Sequence, residues 1–164
     1  MLVKVQHEDF DLALVRDYFK QYGAEVGAVV TFTGLVRDFQ HQPGDKERVE
    51  ALTLEHYPGM TESVLTQLAE DAKSRWNLTG VVIIHRVGTL HPGDNIVLVA
   101  TASAHRQDAF NSCQYIMDTL KTTAPFWKKE ETDHGARWVE AKQSDHGEMD
   151  KWQASAAPED QKAN

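Results

Sequence analysis

The side chains best suited to chemistry in this chain are basic, and they fall at the ends of predicted elements. Arg37 follows a β-branched run bounded by Gly27 and Gly34, and the pair His105-Arg106 stands between an apolar strand and the helix after it. Lys121 closes that helix, and Lys128 and Lys129 come shortly after it. Residues at element ends are held by rigid structure yet still reach solvent. A helix N-terminus adds free N–H groups and a positive dipole end, so His105-Arg106 is placed to receive a phosphate or carboxylate. If the lysines share a cleft with these cations, crowding by like charge makes a lysine easier to deprotonate, and a neutral lysine can act as base or nucleophile. Charge-assisted hydrogen bonds of roughly 1.5–3 kcal/mol each would let a few such groups hold an anion.

Each group also has a plainer explanation. Lys121, taken alone, is a lysine in a last helical turn that complements the dipole and the free carbonyls. Lys128 and Lys129 can be solvated charges on an edge strand. The segment Lys121-Thr122-Thr123-Ala124-Pro125-Phe126-Trp127-Lys128 shifts the balance by setting an aromatic pair against two lysines, with Trp127 and Lys128 on opposite strand faces. His56, His85, His91 and His105 lie at strand ends or turns. They lack the His-x-x-x-His spacing or the accompanying cysteines of a metal site, so no metal is expected. The single cysteine, Cys113, falls on an apolar helix face and reads as an inert small hydrophobe, a poor sulfur carrier.

The hydrophobic period shows which elements position these groups. Strands are predicted over residues 2–5, 27–34, 49–56, 80–84 and 95–103, that over 27–34 as a buried one. Helices are predicted over 9–22 and from Met60 to Trp76, the second with Met60, Val64, Leu65, Leu68, Ala69, Ala72 and Trp76 all in the core. A third starts at a cap, Asp108, and carries Ala109, Phe110, Cys113, Ile116, Met117 and Leu120 on one face. His91-Pro92-Gly93-Asp94 makes a turn, residues 37–46 form a mobile loop, and 126–131 with 136–141 form a hairpin. Strands and helices alternate irregularly, which indicates α+β. Residues 1–141 make one domain, and 142–164 a polar, flexible tail.

The 164 residues suffice for one real core, and 41% apolar with 26% charged is ordinary for a soluble chain. Seventeen Lys+Arg against 25 Asp+Glu, a net charge of −8, argues against nucleic-acid binding and makes any anion site a local cluster. No stretch reads as a membrane span or a signal peptide, so a cytoplasmic location is expected.

Five segments, in order, resemble the large, catalytic subunit of the molybdopterin synthase family. They are Gly27-Ala-Val-Val-Thr-Phe-Thr-Gly34 with Val36-Arg37; Leu52-Thr-Leu-Glu-His-Tyr-Pro-Gly-Met60; Ile84-His-Arg-Val-Gly88; Ser103-Ala-His-Arg106; and Met117-Asp-Thr-Leu-Lys121 running on to Ala124-Pro-Phe-Trp-Lys-Lys-Glu130. The resemblance implies an α/β hammerhead-type fold with mixed and antiparallel sheets, and a homodimer that binds two small ubiquitin-like subunits to make a heterotetramer. The small subunit's C-terminal Gly-Gly thiocarboxylate would supply sulfur to cyclic pyranopterin monophosphate (precursor Z), forming the dithiolene of molybdopterin in molybdenum cofactor biosynthesis, with no metal or separate cofactor. By the same resemblance Lys121 and Lys128 are catalytic. Arg37, His105 and Arg106 hold the pterin phosphate and polarise the reacting centre, and Leu35, Val36, Lys129 and Glu130 add substrate contacts. The loop over 38–48 is longer than the family pattern, and Leu35 stands where relatives can carry a polar residue. Two other classes compete: a binding module for a phosphorylated metabolite or acidic peptide, and a metal hydrolase using His56, His85 and His105.

Overall fold

Two of the most apolar stretches in the chain lie side by side at the centre of a sheet. They are β4 (Leu78–Arg86) and β6 (Asn95–Ser103), paired antiparallel. β1 (Leu2–Gln6) joins β4 in parallel, and β2 (Ala28–Leu35) flanks β6, giving the order β1-β4-β6-β2. The computed structural model describes residues 1–38, 49–139 and 152.

Both faces of this sheet are covered, which is why its central strands are apolar on both sides. One face meets α2 (Met60–Arg75) and α3 (Arg106–Thr123) through Leu65, Leu68, Ile116 and Leu120 against Val81, Ile83, Val97 and Val99. The other face takes Phe10, Val15 and Phe19 against Val82, Ile84, Leu98 and Ala100. Val15 and Phe19 belong to α1 (Ala13–Phe19), which is shorter than its apolar period predicts. The Asp11 carboxylate accepts the Ala13 N–H at 2.8 Å and fixes the start, and a 3-10 stretch (Lys20–Glu25) ends the helix with Gly23 at φ 53.

A second sheet has the order β5-β3-β7-β8, from β5 (Gly88–Leu90), β3 (Val49–His56), β7 (Phe126–Thr132) and β8 (Gly135–Val139). Leu52, Leu54 and Leu90 pack on Val36 to make a small core of their own, and Ile96 links it to the main one. The chain is α+β, with the predicted hairpin present as β7–β8.

Several expectations need correction. The strand over 27–34 is an edge strand, with Val29 and Phe32 exposed. Met60 and Phe110 are more than half exposed, so neither is core. The cap of α3 is His105, and Asp108 sits inside the first turn. The expected mobile loop lies almost wholly outside the described residues. So does the tail, except Trp152, which packs edge-on against Trp76 and Tyr115 and donates to Asp118 at 3.0 Å.

Candidate active site

α3 runs antiparallel to β6 and therefore alongside β2. Thr101 donates to the Ala109 carbonyl at 2.7 Å, Cys113 lies against Val99, and Leu120 shares a cluster with Val97. His105 and Arg106 thus lie at the Ala28 end of β2, and Lys121 at its Leu35 end. Fifteen residues at about 1.5 Å each put about 22 Å of helix between Arg106 and Lys121. One copy of the chain therefore does not bring all the predicted cations together.

It does bring three of them to one end. Arg37 follows Val36, whose N–H donates to the Asp94 carbonyl and whose C=O accepts from Gly93, both at 2.9 Å. With its side chain buried as well, Val36 anchors Arg37 against the turn that opens β6. Val36 packs on Leu52 and Leu54, and their partners across the β3–β7 ladder are Glu130 and Lys128. Directly paired residues share a face, so Lys128 and Glu130 stand on the sheet face that Val36 covers. Lys121 follows Leu120, in the cluster that shares Ile96 with this small core.

The link from Lys121 to Lys128 is clamped from two sides. Thr61, fully buried in the first turn of α2, accepts the Tyr57 N–H at 3.1 Å and donates to the Pro125 carbonyl at 3.3 Å. His85 stacks on Phe126 with ring centroids 3.8 Å apart, and its Nδ1 lies 2.8 Å from the Arg86 carbonyl. Burial, the main cause, pushes the His85 pKa down to about 4, so this ring is neutral near pH 7. A neutral ring can stack on Phe126 without a buried charge to solvate.

Lys128 pairs with Glu130 at 2.9 Å, so it meets a carboxylate where the sequence pattern suggested a crowd of cations. Glu130 is only 1% exposed, and its second oxygen lies 3.8 Å from Arg137. Arg137 was missed by sequence reasoning because its approach depends on the β7–β8 register, which pairs it with Glu130. Lys129 points the other way, beside Thr53 and Trp138. Leu35 is exposed at the free edge. Cys113 is buried, and burial pushes its thiol up to about 11, which keeps it protonated and unreactive. Of the three histidines a hydrolase would need, His85 pairs with Val97 at the start of β6, whereas His105 lies beyond its far end, about 20 Å away.

Residues 5–123 match the family model described as MoaE protein. The chain belongs to the MoaE family. The molybdopterin synthase catalytic subunit of Yersinia pestis is 59% identical over 128 residues, 78% of this chain and 82% of that one. Among solved structures, the molybdopterin cofactor biosynthesis protein E from Burkholderia multivorans superposes with a TM-score of 0.77 at 47% identity, covering 93% of this chain and 96% of that one. The molybdopterin synthase from Staphylococcus aureus superposes with a TM-score of 0.73 at 31% identity, covering 84% and 96%. Family membership carries the hammerhead-type α+β fold expected from the motifs, and the two sheets and their helices agree with it.

Proposed function

We propose that this chain is the catalytic subunit of a molybdopterin synthase, a sulfurtransferase that builds the dithiolene of molybdopterin on cyclic pyranopterin monophosphate. The observation that carries this reading is the placement of Arg37, Lys121 and Lys128 around one end of the two sheets, joined by the Thr61 and His85 clamps. Arg37 supplies a planar, permanently charged fork for the substrate phosphate. Lys121, on the last turn of α3, is the group we place at the donor sulfur, and Lys128 is the second lysine of the reaction. Glu130 holds the Lys128 ammonium in place, and His105 and Arg106 belong to the same site in the assembled enzyme.

The sulfur comes from outside the chain. Its sole cysteine is buried and protonated, so the donor is the thiocarboxylated C-terminus of a small ubiquitin-like partner subunit. The working form is a heterotetramer built on a homodimer of this chain, acting in the cytoplasm without a metal or separate cofactor. No described helix is long and apolar enough to cross a membrane.

Heavy-sulfur labelling tests this. With labelled thiocarboxylate on the small subunit, label is expected in both dithiolene positions, and Cys113→Ser is expected to leave incorporation intact. Unlabelled product, or loss of transfer in Cys113→Ser with the fold retained, contradicts the proposal.

A further inference from the structure

Arg86, the last residue of β4, lies outside the Arg37–Lys121–Lys128 group, and its side chain is only 12% exposed. An arginine does not shed its charge, so one this well covered needs partners that hold it. Its Nε donates to the His7 carbonyl at 3.2 Å, and one terminal nitrogen donates to the Asn95 carbonyl at 2.9 Å. The Asp9 carboxylate lies 3.5 Å from that same nitrogen. Asp9 also accepts the Asn95 side-chain amide at 2.9 Å and the Phe10 N–H at 2.8 Å. Asn95 is therefore held twice, by its carbonyl and by its side chain. The register of β2 on β6 shifts at this residue: Gly34 pairs with Val97 but Leu35 with Asn95, leaving Ile96 as the extra residue of a bulge. A bulge re-aims the chain beside it. Here that chain is Val36-Arg37, tied to the turn before Asn95 by the Asp94 carbonyl and the Gly93 N–H, both at 2.9 Å.

We infer that Arg86 is a positioning residue for the substrate phosphate: by pinning Asn95 it sets the turn over residues 91–94 and, through Val36, the direction in which Arg37 presents its guanidinium. The inference rests on reading Arg37 as the phosphate contact. A forked guanidinium–phosphate contact depends on angle as well as distance, so a small rotation at Val36 weakens it while the charge stays. His85 supplies the contrast within the same strand. Side chains alternate along β4, and His85 stacks on Phe126, in the link between Lys121 and Lys128. Two adjacent residues thus serve different parts of the site, Arg86 the phosphate and His85 the lysines. If Arg86 did no more than fasten residues 7–9 to the end of β4, its loss would disturb both parts alike.

Steady-state kinetics of the assembled enzyme, with thiocarboxylated small subunit and varied pterin phosphate, tests this. Arg37→Ala is expected to raise KM for the pterin phosphate by about tenfold or more. Arg86→Met is expected to raise it by about three- to tenfold, with kcat within about twofold of wild type. Because Arg86 acts through Arg37, the double variant should raise KM no further than Arg37→Ala alone. His85→Asn should give the opposite split, a lower kcat with KM nearly unchanged. Where Arg86→Met does not fold, Arg86→Lys replaces it; lysine keeps the charge without the planar fork, and a KM rise of at least about twofold is expected. An unchanged KM in the folded Arg86 variant overturns the inference. So does an additive rise in the double variant, which would make Arg86 act independently of Arg37. A fall in kcat as large as the rise in KM, or the same KM rise in His85→Asn, reduces the effect to general loosening and overturns it too. An unchanged KM in Arg37→Ala would instead refute the phosphate role of Arg37 in the functional reading itself.

Discussion

Acid should loosen this protein through His85 by an amount that can be worked out. The ring is buried, and its pKa falls from 6.5 to about 4, first through desolvation and then through the neighbouring His56, partly offset by the hydrogen bond with the Arg86 carbonyl. The unfolded chain binds a proton at this ring below about pH 6.5, while the folded chain stays neutral until about pH 4. Between those values the unfolded state holds more protons, so stability is full above pH 6.5 and falls as the pH drops. Two and a half units at 1.36 kcal/mol each give a loss of roughly 3 kcal/mol across the window. Urea denaturation of the wild type and of His85→Asn at half-unit steps from pH 7 to 4.5 isolates this contribution, because carboxylates elsewhere titrate alike in both. The expected result is a stability difference that shrinks by about 2 kcal/mol or more toward acid. Parallel curves would mean that His85 is protonated in the fold or exposed, and would refute the stacked, neutral clamp on Phe126.

Removing the Glu130 charge with Glu130→Gln should cost about 1–2 kcal/mol, less than a fully buried pair because Lys128 is partly solvated. In a double-mutant cycle with Lys128→Met the coupling should reach about 1 kcal/mol, and a value below about 0.3 kcal/mol would show that the contact does not hold the lysine. Gly27→Ala should lower stability by about 2–3 kcal/mol or more in thermal melts, because a Cβ there would stand 2.3 Å from the Ala104 carbonyl oxygen. The Gly27 N–H is tied to Ser103 at 3.0 Å, so the backbone cannot easily retreat, and a melt within a degree of wild type would contradict this packing.

Local pattern identified most elements. β6 was legible to the residue because a continuous apolar run bounded by a turn and a helix leaves little choice, and β3 was legible from its alternation and the Pro58-Gly59 stop. What failed was non-local. β2 has the composition of a buried strand, but the order of strands in the sheet leaves it at an edge, and no residue within it records that order. Met60 and Phe110 satisfy the helical period and still face solvent, because nothing described packs over their side of the helix. β5 is three residues long, too short to leave a period. The candidate cations were legible as element ends, and so, in hindsight, was their separation, since Arg106 and Lys121 open and close one helix. The Lys128–Glu130–Arg137 contact was hidden, because it depends on a hairpin register and on which face of β7 meets Val36.

The central claim is that Lys121 works on sulfur delivered by another protein. Its most direct test is the rate of dithiolene formation by Lys121→Ala supplied with thiocarboxylated small subunit and pterin phosphate. A fall of at least about 100-fold, with the melting temperature and small-subunit binding unchanged, is the predicted result. A rate within about threefold of wild type would contradict it.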